Sequence, residues 1–332
     1  MARKTRGSHR LALPVTAMVL ALIVVLALAM AVPVRALAGS AAEADEVVDV
    51  ELVLAVDVSL SMSPSELNIQ REGYMAALVH ERVIAAIRGG LHGKIAVTYV
   101  EWAGETSQRL VVPWTRIASR KDAEAFVALL TATPARSARR TSISSGLLFA
   151  ESLFENNGFR GMKRVVDVSG DGPNNQGPPV DATRDGLVAR GIVVNGLPLM
   201  TNSGMTTRFD VPDLDRYYAH CVIGGPGSFV IPVTEWSHFP ETIRRKLVLE
   251  LAGRPTIETA SSGRDTKVVT VVARPAQALA DDYDCLIGEK MWQDRHGSGT
   301  TIDPVKREGP RVSRLADRRD RRPEFKRVAL PG

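Results

Sequence analysis

Asp57, Ser59 and Ser61 stand at alternate positions directly after the apolar run Val47–Val56. A strand places successive side chains on opposite faces, but its end curls into a loop. The three polar side chains then converge above the sheet edge. Two more oxygen donors lie downstream: Thr141 in Arg140-Thr141-Ser142-Ile143, and Asp171 in Val168-Ser169-Gly170-Asp171-Gly172. All five donors are oxygens. Such a set suits Mg²⁺, Mn²⁺ or Ca²⁺ and argues against Zn²⁺ or copper. Hydroxyls bring oxygen without charge, so two serines and a threonine leave a divalent ion under-neutralised and receptive to an outside carboxylate. Each piece has an ordinary reading. The first is a turn with a helix cap, Thr141 an N-cap, and Asp171-Gly172 a turn after a strand. The argument rests on all three occurring in order at element boundaries.

The surrounding elements must hold these residues. Val48–Val56 reads as the first strand. Ser63-Pro64-Ser65-Glu66 is a capping box with proline at the first helical position. A helix is expected from there to about Arg88, with Met75, Val79, Val83 and Ile87 on its buried face. Lys94–Trp102 and Arg109–Pro113 read as a hairpin across Ala103-Gly104-Glu105. Helices are expected over Arg120–Leu130, Ser142–Phe154, Asp181–Arg190, Leu214–His220 and Glu235–Leu251, the last closed by Gly253 and Pro255. Strands are expected over Lys163–Ser169, Ile192–Leu199, Phe229–Val233 and Lys267–Val272, with a short apolar patch at Cys285–Trp292. Alternating strands and helices imply an α/β fold, doubly wound. Its central sheet is mostly parallel, with one antiparallel edge strand and helices on both faces. Ligands of such sheets bind at the carboxyl ends of the strands.

The combination of Asp57-x-Ser59-x-Ser61, Thr141 and Asp171 resembles the metal-ion-dependent adhesion site (MIDAS) of von Willebrand factor A (VWA) domains, over about Val47–Leu251. The resemblance implies that Ser59, Ser61 and Thr141 touch the metal directly or through water. Asp57 and Asp171 would mostly hold coordinated waters, and an Asp or Glu of a protein partner would complete the shell. It places a partner rim at Met62, Trp102, Gly172, Pro173, Asn174 and Asn175. The stretches Asp57-Val58-Ser59, Asp167–Gly177 and Cys221–Gly227 look like a bacterial secreted family of unknown function with a VWA-like domain. Two positions depart from the common pattern: Ser169-Gly170 stands before Asp171, and Arg140 precedes Thr141.

The ends set the compartment. Arg3, Lys4, Arg6 and Arg10 precede the apolar stretch Leu11–Val34, and Ala36-Leu37-Ala38 forms a cleavage signal. Residues 1–38 are read as a signal peptide, giving a periplasmic or secreted chain. An uncleaved helix anchored in the inner membrane is the alternative and the only route to membrane contact. The rest divides into a VWA-like domain (39–253), an extension packing on it (254–302) and a basic, disordered tail (303–332). The two ends carry +5 each and the segment between them −5, so the basic balance implies no specific nucleic acid, and aromatics at 5% are too few for a stacking surface. Cys221 and Cys285 allow one intramolecular disulfide in an oxidising compartment; free thiols or an intermolecular bond are the alternatives.

The leading function is an extracytoplasmic binding module that uses the metal to hold an acidic group of a protein partner. A second reading is an interaction domain whose metal site is vestigial. A third is a hydrolase. It lacks a G-x-S-x-G elbow, an H-E-x-x-H motif, a P-loop and a dinucleotide fingerprint, and an enzyme is not expected.

Overall fold

Strand β1 (Glu46–Asp57) is buried along nearly its whole length. Leu52, Leu54 and Val56 enter one core, while Val53 and Ala55 enter another on the opposite face. Burial on both faces explains why this strand reads as an unbroken apolar run. The structure is a computed structural model that describes residues 45–201, 211–252, 272–273 and 283–296. The expected signal segment 1–38, the tail 303–332, Gly253, Pro255 and most of the strand expected at Lys267–Val272 lie outside the described residues.

The chain follows with α1 (Pro64–Leu78), α2 (Glu81–Arg88), β2 (Ile95–Trp102), β3 (Gln108–Ile117), α3 (Arg120–Ala132), α4 (Ile143–Ser152) and β4 (Phe159–Gly170). Then come α5 (Val180–Ala189), β5 (Ile192–Pro198), α6 (Leu214–Tyr217), a π-helical turn (Tyr218–Val222) and β6 (Phe229–Val230). Last are a 3₁₀ turn (Trp236–His238), α7 (Phe239–Ala252), β7 (Val272–Ala273) and α8 (Ile287–His296). The sheet order is β3-β2-β1-β4-β5-β6-β7. Strands β2, β1, β4, β5 and β6 run parallel, and β3 is the expected antiparallel edge. The two-residue β7 adds an antiparallel pairing at the other edge. The chain divides into two compact units, Met1–Trp292 and Gln293–Gly332; the sheet belongs to the first.

Helices α1, α2, α3 and α7 bury Leu67, Tyr74, Val83, Phe126, Phe239 and Leu247 against one face. Helices α4 and α5, α6 and the π turn bury Leu147, Leu187, Tyr217 and Tyr218 against the other. This is the α/β arrangement expected.

The single helix expected over Pro64–Arg88 is two. Val79 closes α1, and His80 caps α2 by accepting a hydrogen bond from Arg82 N–H at 3.1 Å. The buried face of α1 is Leu67, Gln70, Arg71, Tyr74, Ala77 and Leu78, not Met75 and Val79. The capping box forms: Ser63 Oγ accepts from Glu66 N–H and Glu66 Oε2 from Ser63 N–H. Strand β3 runs past Pro113, which an edge position tolerates. The register shifts around Tyr99.

Candidate functional site

The sheet reverses its winding between β1 and β4, so the connections leaving their carboxyl ends diverge. In open α/β sheets such a switch point is where ligands bind. Val56 pairs with Ser169 in register. Asp57, the last residue of β1, therefore stands beside Gly170, the last of β4, with Asp171 one residue on.

Ser59 N–H donates to Asp57 Oδ1 at 2.7 Å. Ser59 Oγ and Ser61 Oγ lie 2.8 Å apart, and Ser61 Oγ–H donates to Asp171 Oδ1 at 2.8 Å. Four of the five expected donor residues thus form one hydrogen-bonded chain. Thr141 lies in the adjoining loop. That loop is held to β1's exit by Leu60 N–H bonding Ala138 O and by Ala138 N–H bonding Val58 O. Thr141 is buried and tied to Asn175 instead. Its N–H donates to Asn175 Oδ1 at 3.1 Å and its carbonyl accepts Asn175 N–H at 2.9 Å.

Asp57 is fully buried, and its Oδ2 has no hydrogen-bond partner. Burial, then the charge of Asp171, holds its carboxyl well above the usual carboxylate range, against the hydrogen bonds from Ser59. An unpartnered buried carboxylate oxygen is costly unless a cation answers it. The hydroxyl of Tyr218 and the indole N–H of Trp102 are likewise buried without partners. A Cβ added at Gly170 would lie 2.8 Å from Tyr218 Oη, 2.9 Å from Asp57 Oδ2 and 3.3 Å from Trp102 Cη2. The glycine before Asp171 is therefore required by close approach. Burial and then Asp57 raise the Tyr218 phenol well above its usual value.

Two carboxylates and two serine hydroxyls are oxygen donors of the kind a hard divalent cation takes, and one of the carboxylate oxygens, Asp57 Oδ2, is without a partner. The donor set is mostly hydroxyl. Among the described residues no group of three or more His, Cys, Asp and Glu gathers for a metal.

The expected rim needs correction. Met62, Trp102, Pro173 and Asn174 are buried. Met62 packs in the α1-side core and Trp102 in the other. Asn174 accepts from Ser144 N–H and donates through Nδ2 to Pro178 O and Glu289 Oε1. These side chains are spent on packing and cannot meet a partner. Gly172 and Asn175 are partly exposed, and the exposed tip is Leu60-Ser61. Leu60, 58% exposed, was not singled out by its sequence.

The sequence offered a Cys221–Cys285 disulfide and an extension packing on the domain, but not the helix α8 that follows the second cysteine. Helix α8 lies on the loops that carry the site. Cys221 and Cys285 form a disulfide, Tyr283 packs on Tyr217 and His220, and Glu289 Oε1 accepts Asn174 Nδ2–H at 2.7 Å. The Arg140 guanidinium lies 3.4 Å from the centre of the Trp292 ring. Arg140 adopts φ 74°, a left-handed conformation unusual for a residue with a side chain.

A family model described as "Protein of unknown function (DUF1194)" matches residues 46–255. No curated protein matches. Solved structures that resemble the chain include proximal thread matrix protein 1 from the mussel byssus with a zinc-occupied MIDAS motif. It is 20% identical, with TM-score 0.43, covering 63% of this chain and 49% of that one. A von Willebrand factor type A structure from Catenulispora acidiphila is 15% identical, with TM-score 0.42, covering 61% and 43%. The conserved hypothetical protein BatB from Bacteroides thetaiotaomicron is 17% identical, with TM-score 0.38, covering 62% and 100%. The chain spans about half the length of the mussel proteins it matches.

Proposed function

We propose, from the premise that this chain belongs to the DUF1194 family and carries a VWA-like domain within it, that the domain is a metal-dependent protein-interaction module. Asp57, Ser59, Ser61, Thr141 and Asp171 would hold the ion, with Mg²⁺ favoured and Mn²⁺ or Ca²⁺ the alternatives. When bound, the cation would supply a Lewis-acidic position for a carboxylate of a protein partner. The observation that carries this reading is the buried Asp57 Oδ2, left without a partner beside the Ser59–Ser61–Asp171 chain. The residues of this chain have separate tasks. Asp57 fixes the loop through Ser59 N–H, Ser61 and Asp171 keep the donors together, and the exposed Leu60 stands where a partner would arrive.

The Cys221–Cys285 disulfide and the basic and apolar start of the sequence support a periplasmic or secreted location. Among the described residues no helix is long and apolar enough to cross a membrane.

The test is a melting curve of the purified chain in millimolar Mg²⁺, Mn²⁺ or Ca²⁺ against chelator, alongside Asp57→Asn and Ser61→Ala. An ion present at about a hundred times its Kd should add roughly 2.7 kcal/mol to the wild type and little to either variant. Binding of a carboxylate-bearing peptide library should then need the ion. Equal melting in metal and chelator would refute the metal site. Metal-independent peptide capture would favour the interaction domain without a working ion.

A further inference from the structure

On the α1-side face of the sheet, involving the strand β4 that leads into the candidate metal site, lies a fully buried cluster of opposite charges. Asp167 on β4, Lys246 and Glu250 on α7, and Asn195 on β5 each have no exposed surface. Lys246 Nζ is 2.6 Å from Asp167 Oδ1 and 2.5 Å from Glu250 Oε1. Asn195 donates from Nδ2 to Glu250 Oε1 at 3.1 Å, and its Oδ1 accepts Phe229 N–H. The ring of Phe229 lies 5.2 Å from Nζ.

Lys246 Nζ hydrogen-bonds Glu250 Oε1 and stands in direct contact with Asp167 Oδ1. The carboxyl carbon of Asp167 is one bond beyond that oxygen, so the amine and the carboxyl it would join are held together inside the core, with no exposed surface on either side chain.

We propose that Lys246 and Asp167 join in an intramolecular isopeptide bond, with Glu250 as the proton-transferring group. A buried ammonium–carboxylate pair can pass its proton within the pair, because a dry interior disfavours both charges. Nζ as a free amine then attacks Cγ of the protonated Asp167. Glu250 takes the proton that Nζ sheds and delivers it to the departing hydroxyl. One C–N bond forms, one C–O bond breaks and one water leaves. Glu250 returns to its starting state, and no oxidant or co-reactant is needed.

The surroundings act on the two partners in opposite senses. Burial, then the charge of Glu250, lifts the Asp167 carboxyl to about 7 against the pull of Lys246, which brings the protonated acid into reach at neutral pH. Burial draws the Lys246 ammonium down, but Asp167 and Glu250 outweigh it and hold it above its usual value. The reacting form is therefore the one in which the ammonium has passed a proton to Asp167 while Glu250 stays ionised to take the next. Asn195 donates to the same Glu250 oxygen that Lys246 bonds and so holds that carboxyl beside the amine. The amide would tie the central strand β4 to α7.

Intact-mass measurement of the reduced, purified chain tests this, followed by tryptic mapping. The wild type should be lighter than its sequence by one water, with a branched peptide joining the segments around Asp167 and Lys246. Glu250→Gln, which keeps the size of the side chain, should remain at full mass, as should Lys246→Arg. Wild-type protein at full mass, with Asp167 and Lys246 in separate linear peptides, would overturn the proposal whether or not the variants fold. A branched peptide in Glu250→Gln at the wild-type level would overturn the role given to Glu250.

Discussion

Gly170 shows how much one residue decides at this site. A methyl group there would press on Tyr218, Trp102 and Asp57 Oδ2 together. All three are fully buried and have nowhere to move. Gly170→Ala should cost about 1–3 kcal/mol by overpacking and should weaken any ion-dependent stabilisation, because it displaces Asp57. Chemical denaturation with and without Mg²⁺ measures both, and an unchanged midpoint would show that the gap is not required. Asp57, Ser59, Ser61 and Asp171 were legible in the sequence because a strand end brings i, i+2 and i+4 donors together. Tyr218 was not. It reaches Asp57 only through the π turn between α6 and β6, a backbone irregularity with no sequence signature. Met62 and Trp102 were misplaced for a related reason. Lying near a strand's carboxyl end says nothing about which layer a side chain enters.

Helix α8 is the element most exposed to test. A Cβ on Gly288 would lie 2.0 Å from the carbonyl oxygen of Asn174, so Gly288→Ala should lift the helix from the loop and raise hydrogen exchange over Ile287–Trp292. Unchanged protection would sink that expectation. The Glu289 carboxyl is raised by burial, against its hydrogen bond from Asn174. A raised acid favours the docked state while protonated. Docking is therefore strongest at pH below the usual carboxylate range and is lost as pH rises through the folded value of Glu289. Glu289→Gln should flatten this dependence, read as exchange of the same helix across a pH series. At the first helix, Ser63→Ala removes one half of the capping box and should cost about 1 kcal/mol in urea melts. That cap was visible in the sequence. The break at Val79-His80 was not, because the four-residue spacing of Met75, Val79, Val83 and Ile87 runs straight through it. The break comes from His80, whose extended backbone and ring cap the second helix, while Tyr74, Ala77 and Leu78 turn inward with Phe239 and Met75 stays at the margin.

At the scale of the molecule, the doubly wound sheet follows from long apolar strands alternating with amphipathic helices. Its switch point had to await the strand order, since nothing local says that β4 lies beside β1. The disulfide joins two cysteines 64 positions apart, Cys221 and Cys285. Cross-linking a loop of that size restricts the unfolded chain by about 4 kcal/mol. Reduction should therefore lower the melting temperature, and Cys221→Ser/Cys285→Ser should reproduce the reduced value. A double variant that melts with the oxidised wild type would show that the cross-link adds nothing.

The sheet also has poles. β1 enters at Glu46 and ends at Asp57, a straight path of roughly 35 Å at about 3.3 Å per residue. Whatever is joined ahead of Glu46 attaches at the floor of the sheet, and the oxygen cluster crowns the opposite end. A bead or sensor surface coupled through that floor would leave Leu60 and Ser61 pointing into the flowing solution. Coupling through surface groups near α8 would bury them against the support. Orientation on the surface would then be a choice of which pole carries the handle.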